Sequence, residues 1–253
     1  MKNNKNILQG DLIIIRNEQG EDFITEGKEI SLDINTDTTI IVYPKTIENV
    51  KFNVFENVRL NVLMTKSINT YASLERNASA NFSVLCVEEC ESNFKVDLNG
   101  EGSEVKVDLL AISDQVCKIN QEIYHNQTHT NSQISNFGVA VSEGKIYFET
   151  IGKIINKMHN SNCRQLSKGL ILGENAVVSS KPILLIDEYD VEAYHGASIG
   201  KMNEDDLFYL MSRGLSKSEA YQMVLEGIIS PFLNQITDNE IKVAYYEEIH
   251  SML

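Results

Sequence analysis

Between Leu12 and about Ile186, apolar side chains recur at every second position in short runs separated by polar residues. Four of these runs are Val58 to Met64, Ala78 to Cys86, Phe94 to Leu98 and Val105 to Ala111. A period of two is typical of a β-strand with one buried face. The intervening stretches are rich in Asn and Gly, which tolerate positive φ and favour turns. The pattern therefore predicts a mainly β body made of many short strands.

Two architectures accommodate many short strands, a sandwich or barrel and a parallel β-helix in which each coil stacks on the next. A sandwich built from hairpins typically contains several two-residue Asn-Gly or Asp-Gly turns, and Asn99-Gly100 is the single example in this stretch. The pattern favours the β-helix slightly. It contains no strict residue repeat, however, and a sandwich would use the same apolar residues.

The last 50 residues follow helical patterns. Asn203 is placed to cap a helix that runs to Arg213, and Ser216 to Glu219 is a capping-box pattern that opens a second helix ending near Glu226, before Gly227. Ser230-Pro231 predicts a separate short turn or helix. Thr237 to Glu240 is a second capping-box pattern, followed by an apolar stripe for a last helix. We therefore predict a β body over residues 7–200 and a helical subdomain over residues 201–253, too small to be stable without packing on the body.

The composition limits the classes of partner. The chain of 253 residues has 36 acidic and 22 basic residues and a formal charge of −14. Like-charge repulsion disfavours nucleic acid and anionic membrane surfaces. The apolar run Leu12 to Ile15 is too short for a signal-peptide core or a membrane span. We expect a cytoplasmic protein that binds neither nucleic acid nor membrane.

The four cysteines contain no C-x-x-C pair, so neither a zinc ribbon nor a thioredoxin-type motif is indicated. Cys86 and Cys117 lie in apolar surroundings and are interpreted as small buried hydrophobic residues. Cys163 is a different case, because Arg164 beside it would lower the pKa of its thiol and favour a metal-binding thiolate. An incidental thiol is the alternative at Cys163. His125 and His129 lie in a stretch with strand and loop character, and no metal is assigned to them.

His195 lies in a run of small residues between the β body and the helices, which predicts a turn. Imidazole can ligate iron or transfer a proton, but a histidine that only forms a hydrogen bond in a strand-to-helix corner is the more frequent case. The sequence around it reads DVEAYHGASIG from Asp190 to Gly200 and DLFYLMSRG from Asp206 to Gly214. This order closely resembles the SufD pattern D-V-x-x-x-H-G-A-T-V-G followed by L-F-Y-L-x-S-R-G of the SufB/SufD family of iron–sulfur cluster assembly proteins.

The resemblance implies a right-handed parallel β-helix with a helical tail, and it implies a role for His195. The matching histidine of SufD proteins lies at the interface with SufB, so His195 and Gly196 are expected at a dimer interface, with His195 near a nascent cluster. Counting back from Leu170 to Gly173, which resembles a SufB segment, places Ser167 rather than Cys163 at the functional SufB cysteine. Cys163 is kept as a possible cluster ligand without positional support. Gly196 stands where SufB proteins have glutamate, so the chain resembles SufD more than SufB.

The resemblance also implies partners. Family members bind the ABC-type ATPase SufC through the helical tail, so Leu207, Phe208, Tyr209 and Arg213 are candidate ATPase-docking residues. Compared with typical members, the chain would lack a long N-terminal helical extension. The resulting hypothesis is a non-catalytic SufD-like subunit that pairs with a SufB-like chain or with itself, holds no cofactor tightly, and hosts at most a transient iron–sulfur cluster at the interface. The alternatives are a structural or regulatory homologue without cluster chemistry and, with less support, a carbohydrate-active β-helix enzyme.

Overall fold

The computed structural model of the protein describes residues 12–24, 27–87 and 89–234 and, beyond these, residues 239, 242, 243, 246, 247 and 249. These residues form sixteen strands and two helices. The strands are β1 Leu12–Asn17, β2 Gly20–Ile24, β3 Glu29–Ile34, β4 Thr38–Tyr43, β5 Asn49–Val54, β6 Arg59–Met64, β7 Asn69–Leu74, β8 Ser79–Cys86, β9 Cys90–Leu98, β10 Glu104–Ser113, β11 Val116–His125, β12 Asn131–Ala140, β13 Lys145–Ile154, β14 Ser161–Ile171, β15 Val177–Ile186 and β16 Val191–Lys201. The helices are α1 Glu204–Ser212 and α2 Lys217–Leu233.

From β3 onward, consecutive strands alternate between two sheets. The even-numbered strands β4 to β16, with β1 and β2, form a nine-stranded sheet, and the odd-numbered strands β3 to β15 form a seven-stranded sheet. All neighbouring strands pair in parallel except β1, which is antiparallel to both β2 and β4. Each coil therefore contributes one strand to each sheet, and the prediction of a parallel β-helix is confirmed.

The coils lengthen along the chain, which explains why the sequence contains no strict repeat. Glu29 is aligned with Asn49, twenty residues later, whereas Val116 is aligned with Lys145 and Lys145 with Val177, after 29 and 32 residues. The residues added between successive coils lengthen the strands and the turns. A fixed-period search cannot detect a repeat whose length changes in this way.

Apolar side chains fill the space between the two sheets. Phe52, Phe82 and Phe94 form a chain of ring contacts there, with centroids 5.7 Å and 5.0 Å apart. On the outer surface, asparagine side chains bond from coil to coil: Asn120 Nδ2 donates to Asn93 Oδ1 at 3.1 Å and Asn126 Nδ2 to Asn99 Oδ1 at 2.9 Å. These side-chain bonds add to the backbone bonds that hold neighbouring coils together.

The two helices return along the outer face of the nine-stranded sheet. A second apolar cluster forms there between Leu110, Ile112 and Val139 of the sheet and Leu225 and Ile229 of α2. The expectation that the helices need the β body is consistent with this packing, because their buried residues face the sheet.

Two predicted boundaries are wrong. Val191–Lys201 is strand β16, so His195 lies within a strand and not in a turn or a strand-to-helix corner. Small residues weaken the alternating pattern, but pairing with β14 over eleven residues overrides that weak local preference. Helix α2 also continues through Gly227 and Pro231 to Leu233, because its buried face extends to Ile229 and Leu233. The third predicted helix, with its cap at 237–240, lies largely outside the described residues.

Candidate functional site

The two ends of the solenoid are built differently. At the N-terminal end, the antiparallel hairpin β1–β2 extends the nine-stranded sheet beyond β4. At the other end, β16 and β15 are the last strands of the two sheets, and each pairs with one neighbour among the described residues. An edge strand with unpaired backbone groups is a template for pairing with another chain. The coil formed by β15 and β16, which we call the open end, is therefore the candidate functional site.

His195 lies in the middle of β16 with an exposed side chain. It is aligned with Gln165 of β14, whose side chain is buried between the sheets. Residues aligned in neighbouring parallel strands share a face, so the imidazole faces the interior of the solenoid and is exposed because it belongs to the last coil. An imidazole here offers one nitrogen ligand to a metal.

Gly196 is aligned with Leu166 and is partly covered. A Cβ built on it would lie 3.5 Å from Leu166 Cδ2, an ordinary contact. Among the described residues, therefore, no contact requires a glycine at this position. Its small size would matter to a surface that approaches from outside.

The interior of the solenoid becomes more polar toward the open end. Four interior residues are aligned in successive strands of the nine-stranded sheet, from β10 to β16: they are Val107, Ile134, Gln165 and His195. Buried Asn136 donates from Nδ2 to Gln121 Oε1 at 2.6 Å, and Gln165 Nε2 donates to the carbonyl of Ile183 at 3.3 Å.

Several atoms of this polar interior have no hydrogen-bond partner among the described residues. They are Gln121 Nε2, Asn136 Oδ1, Gln165 Oε1 and Ser180 Oγ, all buried. Unpaired buried polar atoms are unfavourable by about 1–3 kcal/mol each, and internal water is their usual partner in proteins. The last coils therefore enclose a more polar interior behind His195 than the earlier coils, in which apolar side chains predominate.

Cys163 belongs to this interior and not to the surface. It is 1% exposed, is aligned with Ser132 of β12 and Ala193 of β16, and burial raises the pKa of its thiol. The expectation that Arg164 lowers this pKa is wrong, because adjacent residues of a strand point to opposite faces. The Arg164 guanidinium instead lies 5.5 Å from the Tyr194 ring centroid and 3.6 Å from Glu192 Oε2.

His125 plays the structural role suggested by its surroundings. Its Nδ1 lies 2.7 Å from Thr130 Oγ1 and its Nε2 2.8 Å from Ser132 Oγ. Burial lowers its pKa to about 4, so the ring is neutral at physiological pH. His129 adopts positive φ, with an exposed ring near Glu101. The two histidines do not form a common metal site.

The candidate docking residues divide between the two faces of α1. Leu207 is 6% exposed and packs in the cluster between helices and sheet. Phe208 and Tyr209 are 73% and 57% exposed, and the Arg213 guanidinium lies 5.2 Å from the Tyr209 ring centroid. The surface of α1 therefore presents Phe208, Tyr209 and Arg213, whereas Leu207 packs against the sheet.

In the described part of the chain, no helix is both long and apolar enough to span a lipid bilayer.

One cluster was missed by sequence reasoning. The Sγ atoms of Cys86, Cys90 and Cys117 all lie within 4.8 Å of one another, and all three residues are buried. Burial of Cys86 and Cys117 agrees with their interpretation as small hydrophobic residues, but their proximity depends on the coil register, which aligns Cys90 with Cys117. The available signal was the C-x-x-x-C spacing across a strand end.

Comparison with known proteins gives a consistent result. Residues 12–228 match the family described as SUF system FeS cluster assembly, SufBD core domain. The iron–sulfur cluster assembly protein SufD of Bacillus subtilis strain 168 is 34% identical over 148 residues, which cover 58% of this chain and 34% of that protein. SufD of Escherichia coli K12 is 27% identical over 152 residues, covering 59% of this chain and 36% of that protein. An iron–sulfur cluster assembly SufBD family protein of Pyrococcus horikoshii is 38% identical over 89 residues, covering 34% of this chain and 20% of that protein. The chain thus matches about a third of the length of the two SufD proteins.

Proposed function

The chain belongs to the SufBD core family of iron–sulfur cluster assembly proteins, and from that premise we propose that it is a SufD-like, non-catalytic platform subunit of a cytosolic assembly complex. The observation that carries this proposal is the open end of the solenoid, where an exposed imidazole lies on an edge strand. Two partners are proposed. A second solenoid chain pairs at the open end, and a SufC-type ABC ATPase binds the helices.

The pairing partner is a SufB-like chain or a second copy of this one. On their outer edges, β15 and β16 have no neighbouring strand in the described part of the chain, over ten and eleven residues. Edge strands recruit further strands by main-chain hydrogen bonds. Exposed Leu185, Tyr194 and Ile199 at the open end add apolar surface that pairing would cover.

His195 supplies one ligand to a transient iron–sulfur cluster, which is the cargo of the complex and not a cofactor held by this chain alone. Cys163 is a weaker candidate ligand, because its buried thiol stays protonated at neutral pH and lies one strand inside the open end. The remaining ligands come from the partner chain. Ser167, at the position counted for the SufB cysteine, has no thiol to contribute.

The ATPase docks on the exposed face of α1. Phe208, Tyr209 and Arg213 combine aromatic area with a cation, a composition that is frequent in the energetic centres of protein interfaces. Since α1 follows β16 directly, a movement imposed on the helices by ATP binding reaches the open end through a connection of two residues.

The docking proposal is tested by co-expression with a SufC-type ATPase and affinity purification of the complex. The double variant F208A/Y209A should weaken ATPase retention at least tenfold, because both rings lose their contact area. Phe55→Ala removes an exposed ring in the turn after β5 and should leave retention unchanged. No retention of the ATPase by the wild-type chain in the nucleotide-free, ADP-bound or ATP-bound state contradicts the proposal.

The role of His195 is tested by anaerobic reconstitution of the purified complex with iron and sulfide. His195→Ala should reduce the amount of cluster formed, while the exposed His159→Ala should not. If the ATPase binds and cluster formation is the same in the wild type and His195→Ala, the chain is a structural or regulatory homologue without cluster chemistry.

A further inference from the structure

A buried thiol cluster lies near the middle of the solenoid, away from the open end. Cys86 is the last residue of β8, in the nine-stranded sheet, and Cys90 is the first residue of β9, in the seven-stranded sheet. Cys117 is the second residue of β11 and is aligned with Cys90 in the next coil. The three thiols therefore meet at the corner where the chain crosses from one sheet to the other.

The spacing of the sulfur atoms fits a single metal ion. Cys86 Sγ and Cys117 Sγ are 4.0 Å apart, and all three sulfurs lie within 4.8 Å of one another. Zinc–thiolate bonds are about 2.3 Å long, and three such bonds in a plane place the sulfurs about 4.0 Å apart. The separation is also much longer than a disulfide bond, which is about 2.0 Å. The arrangement is thus that of three ligands around a central ion.

Metal binding by this cluster is coupled to proton release, because the three thiols lose their protons as their sulfurs bind a cation. The Ser113 hydroxyl also forms a hydrogen bond with the Cys117 sulfur. Ser113 is itself fixed, because its Oγ accepts a hydrogen bond from Gln115 N–H at 3.0 Å; this is the kind of outer contact that orients metal ligands.

The chemistry of the donors selects the class of ion. All three are sulfur, and they are buried among apolar residues such as Ala111 and Ile146. Thiolate-only sites favour soft ions such as zinc(II) and copper(I) over magnesium, calcium and manganese, which require oxygen ligands. A cation also offsets the cost of burying thiolate charge in an apolar interior.

We propose that Cys86, Cys90 and Cys117 form a three-thiolate site for one soft cation, zinc(II) or copper(I), that links the two sheets of the solenoid at this corner. The site is separate from His195 and from the proposed cluster at the open end, and it does not depend on them. Binding of the ion stabilises the pairing of β9 with β11.

The proposal is tested on the full-length chain, reduced and freed of metal under anaerobic conditions. Zinc(II) or copper(I) is added separately, loosely bound ion is removed, and the retained metal is counted by native mass spectrometry. The wild type should retain one ion per chain and unfold at a higher temperature when loaded. Cys117→Ser should weaken retention at least tenfold, whereas Cys163→Ser, which removes another buried thiol, should retain the ion as the wild type does.

A second measurement needs no variant and remains decisive if Cys117→Ser does not fold. In mild denaturant, bound metal should slow alkylation of Cys86, Cys90 and Cys117 relative to Cys163 in the same molecule. The proposal is overturned if the wild type retains neither zinc(II) nor copper(I), or if Cys117→Ser retains the ion as tightly as the wild type. It is also overturned if bound metal slows the alkylation of Cys163 as much as that of the three clustered cysteines. The ion that is retained more tightly identifies the cation.

Discussion

At the scale of single residues, the closest packing in the solenoid occurs where turns of neighbouring coils stack. Gly100, between β9 and β10, lies against the backbone of the preceding coil, and a Cβ built on it would be 1.9 Å from Arg76 N. Backbone cannot move aside as a flexible side chain can. Gly227, inside α2, has open space at the corresponding position: apart from its own helix, no described residue has an atom within 4 Å of it. Close backbone contact therefore requires a glycine at position 100, whereas the space around position 227 would accept a side chain.

Alanine substitution should separate these two cases. We expect Gly100→Ala to lower the free energy of unfolding by about 1–3 kcal/mol through overpacking, and Gly227→Ala to raise it by up to about 1 kcal/mol through helix propensity. Urea unfolding of both variants measures the difference. Equal stabilities for Gly100→Ala and the wild type would show that the coils can separate at this turn at little cost.

His125 gives the stability of the protein a pH dependence. Its pKa is lowered by burial to about 4, against about 6.5 in an unfolded chain. Between these values the unfolded state binds more protons than the folded state, so stability is fully present above pH 6.5 and falls as the pH decreases toward 4. The loss from this residue is about 2 kcal/mol by pH 5.

Urea unfolding at pH 7 and pH 5 measures this dependence. In His125→Gln, the part of the decrease due to histidine should disappear, while the exposed His159→Gln should behave as the wild type. A decrease between pH 7 and pH 5 that is the same in all three proteins would contradict a lowered pKa of His125 in the folded chain.

At the scale of secondary structure elements, the alternating pattern predicts most of the strands because buried and more exposed side chains alternate along much of β5 to β13. The alternation is interrupted at the ends of β8, β10 and β12, which are buried on both faces. The pattern fails at β16, because no coil among the described residues covers this strand and its interior-facing positions are not marked by large apolar residues. It also fails at the end of α2, because Gly227 and Pro231 are local stop signals that packing against the sheet overrides.

The packing of α2 on the sheet leads to an element-scale prediction. Leu225 is buried between the helix and the nine-stranded sheet, whereas Met223 is half exposed on the same helix. Leu225→Ala should lower the free energy of unfolding by about 2–5 kcal/mol, and Met223→Ala should change it by less than about 0.5 kcal/mol. Chemical denaturation of the two variants provides the comparison. Similar values for both would indicate that α2 does not depend on this packing.

At the scale of the whole molecule, the family and the solenoid could be predicted from sequence, but the candidate sites only in part. The sequence around His195 was sufficient to identify it as a candidate. That its side chain faces the interior is known only from its alignment with Gln165 in the structure. The proximity of Cys86, Cys90 and Cys117 depends on coils of unequal length being in one particular register. Such long-range register is not encoded in any local pattern.

The proposed function places the pairing of this chain with a second solenoid chain at the open end. Ile199 lies there on the same face as His195, and a lysine at this position would bring an unpaired charge into the pairing surface, which is strongly unfavourable. Val116, at the start of β11, has the same exposure of 37% but lies in the other sheet, two strands from its β15 edge. The two residues therefore form a matched pair for substitution.

Native mass spectrometry of the complex purified with a SufC-type ATPase tests this pairing most directly. We predict two solenoid chains, either two copies of this chain or one copy with a SufB-like chain, together with bound ATPase for the wild type and for Val116→Lys. For Ile199→Lys we predict a single solenoid chain that still binds the ATPase. A wild-type complex with only one solenoid chain, or a paired complex that is unaffected by Ile199→Lys, would contradict pairing at the open end.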